Sequence, residues 1–152
     1  MTPLRVVLAG LGVRGKYWAE VLTRSPRCEI IAYADPNPEA CERMAAKYGD
    51  RPTFSTPEEA LAALPDAQAL VLANPPIGRE SQIRAASERG IPMLVEKPLA
   101  LTVEEAAHLV GERRPVGIRT DHAELQGRDR RFERQHLVGR PEQHADPARA
   151  VV

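Results

Sequence analysis

Short apolar runs and helical patterns alternate along the first ~118 residues, the text that a parallel α/β sheet requires. Leu4 to Ala9 is a continuous apolar run broken only by Arg5, and it reads as a first strand. Trp18, Val21 and Leu22 then fall at helical spacing within Gly15 to Arg24. Glu29 to Ala34 predicts a second strand. Asn37-Pro38-Glu39 predicts a helix start: an Asn cap, proline at the first helical position and an acid near the positive dipole end. That helix runs to about Tyr48, with Gly49 as a left-handed stop.

Thr53-Phe54 leaves room only for a short third strand. Thr56-Pro57-Glu58-Glu59 is a capping box opening a helix through Leu64. Ala69 to Ala73 predicts a fourth strand, Glu80 to Arg89 a helix stopped by Gly90, and Pro92 to Val95 a fifth strand. A second capping box, Thr102-Val103-Glu104-Glu105, starts a helix to about Arg113, and Val116 to Ile118 is a candidate sixth strand. The expected fold class is α/β, a doubly wound, mainly parallel Rossmann sheet with helices on both faces.

Composition narrows the partners. The chain has 152 residues, 43% hydrophobic but only 4% aromatic, so its core is built from Val, Leu, Ile and Ala. Formal net charge is zero, which gives no general attraction to nucleic acid or an anionic membrane. No apolar run approaches the ~20 residues of a membrane span. The N-terminus reads as a strand rather than a signal peptide. Cys28 and Cys41 in such a chain suggest reduced thiols and a cytoplasmic location. His108, His122, His136 and His144 do not pair with cysteines at zinc spacing, so no metal site is expected.

Gly10-Leu11-Gly12-Val13-Arg14-Gly15 fits G-x-G-x-x-G between the first strand and first helix. Gly10 allows a tight turn, Gly12 lets backbone approach a pyrophosphate, and Gly15 lets the helix pack against the strand. The helix N-terminus, with Val13 and Arg14 of the turn before it among the candidate cofactor contacts, offers free N–H groups and a positive dipole end to phosphate. Asp35 lies twenty positions beyond Gly15, at the end of the second strand, where a carboxylate accepts hydrogen bonds from a ribose diol. It would repel a 2′-phosphate, and no Arg follows within Pro36-Asn37-Pro38, so NAD is favoured over NADP. Arg14 and Lys16 read equally as phosphate contacts or as solvated charges. No Tyr-x-x-x-Lys and no P-loop motif occurs.

The glycine turn, Asp35, Asn74-Pro75-Pro76 after the fourth strand and Glu96-Lys97-Pro98 after the fifth together resemble the Gfo/Idh/MocA family of oxidoreductases. The resemblance covers residues 4 to about 118, the nucleotide-binding half. It implies that Asn74 and Pro75 line the nicotinamide ribose and diphosphate. It implies that Lys97 points into the crevice beside the nicotinamide and holds a substrate oxygen, with Glu96 fixing the lysine or the ribose. Pro98 would set the loop, often through a cis bond. Arg79 stands where the family often has histidine. The implied function is NAD(P)-dependent hydride transfer with a sugar, polyol or related hydroxy compound. A non-catalytic dinucleotide-binding or regulatory module is the alternative.

Family enzymes are about twice this long, and their C-terminal α+β domain usually carries a D-x-x-x-H pair. Neither that domain nor that motif is in this text; Asp121-His122 is adjacent rather than spaced by three. Residues 119–152 are rich in Arg, Gln and His, with Leu125, Phe132, Leu137 and Val138 as a weak apolar stripe. They are expected to be a partly helical or disordered tail. Acids interleave the arginines, and Phe132 is the one aromatic there, which argues against nucleic-acid binding. We expect a truncated or frame-shifted product. Reading the flanking DNA in the other two frames should uncover D-x-x-x-H and second-domain text; their absence there would refute this.

Overall fold

In the computed structural model, which describes residues 2–111, five parallel strands lie in the order β3-β2-β1-β4-β5. The strands are β1 (Leu4–Ala9), β2 (Cys28–Ala34), β3 (Thr53–Phe54), β4 (Ala69–Leu72) and β5 (Met93–Val95). Between and after them run α1 (Val13–Arg24), α2 (Pro38–Tyr48), α3 (Pro57–Ala63), α4 (Arg79–Glu88) and α5 (Val103–Gly111). The doubly wound parallel sheet read from the sequence is therefore observed, each element ending within about two residues of its expected bounds. The candidate sixth strand, the last turn before Arg113 and the segment 119–152 lie outside the described residues.

Alternation along β1 separates two cores. Val6 and Leu8 face one way and pack with Trp18 and Ala19 of α1 and Ala40, Cys41 and Met44 of α2. Val7 and Ala9 face the other way, toward Ala60 and Leu61 of α3, Ile83 and Ala86 of α4 and Leu109 of α5. Both faces of β1 are thus dry, which is why its sequence is a continuous apolar run rather than an alternating one. The register slips once: Val6 pairs with Ile30 but Val7 with Ala32. Ile31 is the extra residue of a bulge, and it joins Ala32 on the α3/α4 side. Arg5, the one charge in the run, sits at the N-terminal end of β1, half-buried, with Asp66 at 2.7 Å and Glu29 at 3.6 Å.

The helix starts follow the local chemistry. Asn37 accepts from the Glu39 N–H at 3.0 Å, Thr56 from Glu59 at 3.2 Å and Thr102 from Glu105 at 3.1 Å. In both capping boxes the returning glutamate bonds the residue before the cap, Ser55 or Leu101, rather than the cap itself. Gly49 ends α2 at φ 104° and ψ 143°, so its φ is positive but it does not enter the left-handed helical well. Helix α1 differs from these. Its cap is Gly12, with no side-chain bond, and its first turn carries no acid.

Two buried proton donors make the fold sensitive to alkali. Burial pushes the Tyr33 hydroxyl above its ordinary 10.0. Burial, and then the nearby Asp35 charge, pushes the Cys41 thiol above 9.0. The folded state keeps these protons to higher pH than the unfolded chain does. Their contribution is therefore complete below about pH 9 and is lost as pH rises through the folded values. Thermal melts should show Tm falling above about pH 9, and Tyr33→Phe should flatten part of that fall. An identical alkaline slope in the variant would exclude Tyr33 as a source.

Candidate dinucleotide site

Pairing registers set Ala34, Ala9, Leu72 and Val95 in one row across the sheet. Asp35, Gly10 and Glu96 directly follow three of these, and Asn74 stands two beyond Leu72. Sequence positions as distant as 10 and 96 thus share one edge, at the carboxyl ends of the strands. The row from β2 to β5 covers three strand spacings, about 14 Å. Its middle, between β1 and β4, is where the chain reverses its winding, the switch point at which such sheets bind ligands.

The glycine turn is fixed by close backbone approach. Gly10 has φ 81°, and a Cβ on it would lie 2.2 Å from the Asn74 nitrogen. A Cβ on Gly15 would lie 2.0 Å from the Gly10 carbonyl oxygen. These two glycines let β1, α1 and the β4 loop meet. Gly12 is different, because a Cβ there would meet nothing within 4 Å. It borders open space at the uncapped N-terminus of α1, beside the highly exposed Val13. Open space next to a helix N-terminus without a side-chain cap suits a phosphate group.

Asp35 braces that turn. Its Oδ2 accepts from the Leu11 N–H at 2.7 Å and its Oδ1 from the Asn37 N–H at 2.9 Å. The carboxylate thus ties the β1–α1 turn to the start of the β2–α2 turn. Each oxygen keeps lone-pair capacity for a further donor such as a ribose hydroxyl.

The far side of the edge is held by three side chains. Glu96 is buried and accepts from the Trp18 indole N–H at 2.8 Å, and Arg14 lies 3.9 Å away. These contacts join the end of β5 to α1. Arg79 is 1% exposed at the start of α4. Its Nη1 donates to the carbonyls of Glu96 at 2.6 Å, Leu99 at 3.4 Å and Pro98, and its Nη2 donates to the carbonyl of Asn74. Burial lowers its proton affinity, and the charge of Glu96 opposes that. Asn74 also donates to Gln82 at 2.9 Å. Lys97 and Pro75 are exposed at this edge, and the Lys97–Pro98 bond is cis.

All the residues expected to bind a cofactor therefore lie along one edge, with Gly10 against Asn74 and Arg14 near Glu96. Trp18 and Arg79 escaped the sequence reading. Trp18 reads as an ordinary helix core residue, and an arginine is normally solvated. Only the departure from histidine at position 79 marked that place. Among the described residues no group of three His, Cys, Asp or Glu side chains could hold a metal ion, and none of the helices is long and apolar enough to cross a membrane.

A doubly wound parallel sheet with this glycine turn, acid and switch-point crevice defines a dinucleotide-binding Rossmann domain. Residues 4–117 match the family model described as "Oxidoreductase family, NAD-binding Rossmann fold", and the chain belongs to that Gfo/Idh/MocA family. It is 35% identical over 120 residues to an inositol 2-dehydrogenase of Mycolicibacterium smegmatis, covering 78% of this chain and 34% of that protein. It is 38% identical over 117 residues to inositol 2-dehydrogenase 4 of Saccharopolyspora erythraea, covering 72% and 34%. Among solved structures, a myo-inositol dehydrogenase of Corynebacterium glutamicum superposes with TM-score 0.66 at 32% identity, over 72% of this chain and 32% of that one. GenD2 from gentamicin A biosynthesis, solved with NAD, gives 0.66 at 32% identity, over 73% and 31%. The chain spans about a third of the length of the relatives it matches.

The glycines should separate under substitution. Gly10→Ala or Gly15→Ala should lose at least about 2 kcal/mol in urea unfolding, through clash and, at Gly10, left-handed strain. Gly12→Ala should stay within about 1 kcal/mol of wild type, yet weaken nucleotide binding by filling the phosphate space. Equal destabilisation by all three would contradict the assignment of that space.

Proposed function

We propose that this chain is the cofactor-binding part of an NAD-dependent oxidoreductase acting on a polyol, sugar or related hydroxy compound. One observation carries the reading: Asp35, Gly10, Asn74 and Glu96-Lys97 stand in order along one edge, centred on the switch point. The adenosine ribose would meet Asp35, the pyrophosphate Gly12 and the α1 N-terminus, and the nicotinamide the Asn74 and Lys97 side. NAD, when bound, supplies the hydride acceptor. Lys97 hydrogen-bonds the substrate oxygen and stabilises negative charge on it as the carbinol becomes a carbonyl. An ammonium only donates hydrogen bonds, so a further acid/base group is required to take the hydroxyl proton. The relatives' names favour cyclic polyols of the inositol kind as first substrates to try. The two cysteines, both free thiols, fit a reducing compartment such as the cytoplasm.

NADH and NADPH titrated by fluorescence test this. NADH should bind at least about tenfold tighter than NADPH, since a carboxylate at position 35 repels a 2′-phosphate. Asp35→Ala should weaken NADH by about 10–100-fold, the scale of lost hydrogen bonds to a charged group. Lys97→Ala should retain NADH binding. Absence of any binding by the wild-type chain would sink the proposal. Binding lost in Asp35→Ala but retained in Lys97→Ala, without turnover of any polyol, would favour the non-catalytic module.

A further inference from the structure

Arg79 is the most deeply buried charge among the described residues, and its terminal nitrogens bond backbone carbonyls. Its two terminal nitrogens point to different loops. Nη1 gathers the carbonyls of Glu96, Pro98 and Leu99, which form the turn after β5. Nη2 takes the carbonyl of Asn74, which begins the loop after β4. A planar guanidinium fixes the angle between its donors, so it fixes these two loops relative to one another. Water would otherwise have to satisfy these carbonyls, and a turn solvated in that way has no single position.

We infer that Arg79 is the positioning residue for the nicotinamide half of the cleft. Resting on the dinucleotide reading above, it sets Lys97 and Asn74 without touching cofactor or substrate. The adenosine half is tied by different bonds, from the Asp35 carboxylate to Leu11 and Asn37, and Arg79 makes none of them, although the glycine turn packs on the Asn74 backbone. The two halves should therefore respond differently to its loss. The structure also supplies a reporter. Trp18 is the chain's one tryptophan, and its indole N–H is bonded to Glu96, whose own carbonyl is held by Arg79. Movement of the β5 turn must reach the Trp18 emission.

The experiment compares wild type, Arg79→Met and Arg79→Lys in the full chain. ADP affinity, NADH affinity and Trp18 emission without ligand are measured for each. In Arg79→Met, ADP affinity should stay within about twofold while NADH affinity falls at least about tenfold and the Trp18 emission shifts. In Arg79→Lys, a single ammonium cannot span both loops, so the NADH loss should be partial with ADP unchanged. A wild-type ratio of NADH to ADP affinity in both variants would overturn the inference, as would equal loss of both ligands. If Arg79→Met does not fold, the ratio in Arg79→Lys decides in the same way. If wild-type chain binds neither ligand, the dinucleotide reading fails. The Trp18 spectra then judge Arg79 alone: unchanged emission in both variants overturns its positioning role, and a shift upholds it.

Discussion

Three backbone segments meet at the carboxyl edge of the sheet with no room for a side chain between them. Gly10 lies against the Asn74 backbone, and Gly15 lies against the Gly10 carbonyl. This approach sets where α1 begins, how close it lies to β1 and how near the β4 loop comes to the glycine turn. It brings the glycine turn, the α1 N-terminus and the β4 loop together. Gly12, between these two packed glycines, borders open space instead.

Side chains then secure what the backbone has brought together. Asp35 ties the glycine turn to the second strand's exit, Glu96 ties β5 to Trp18 of α1, and Arg79 ties the β4 and β5 loops. These polar groups are buried or half-buried, and each joins its own segment to a distant one. Leaving such groups unpaired would cost on the order of 1–3 kcal/mol each, so they specify one arrangement of the loops as well as stabilising it. The apolar layers beneath define the sheet, whereas these polar ties define the cleft.

Much of this was legible beforehand. The strand runs, both capping boxes, Asn37 and the glycine turn act through neighbours within a few residues, so local text reveals them. Asp35 was legible through its spacing, although its bonds to Leu11 and Asn37 were not. The structure shows that its carboxylate already bonds the start of the next turn at Asn37 while retaining capacity for a ribose hydroxyl. The inward turn of Glu96 was not legible, because Trp18 lies 78 positions away. Arg79 was noticed only as a substitution for histidine, since nothing local distinguishes a buried arginine from a solvated one.

The sequence by itself determined the strand and helix order, the helix caps, the glycine turn and the class of ligand that turn suits. Each of these depends on local conformational preference or on a short, regular spacing. Only the tertiary structure decided that Ala34, Ala9, Leu72 and Val95 stand level, and so that residues 35, 10, 74 and 96 share one edge. It alone decided the bulge at Ile31, the burial of Arg79 and the pairing of Glu96 with Trp18. Those depend on register and on loop closure between distant segments, where a shift of one residue would turn every side chain of a strand to the opposite face.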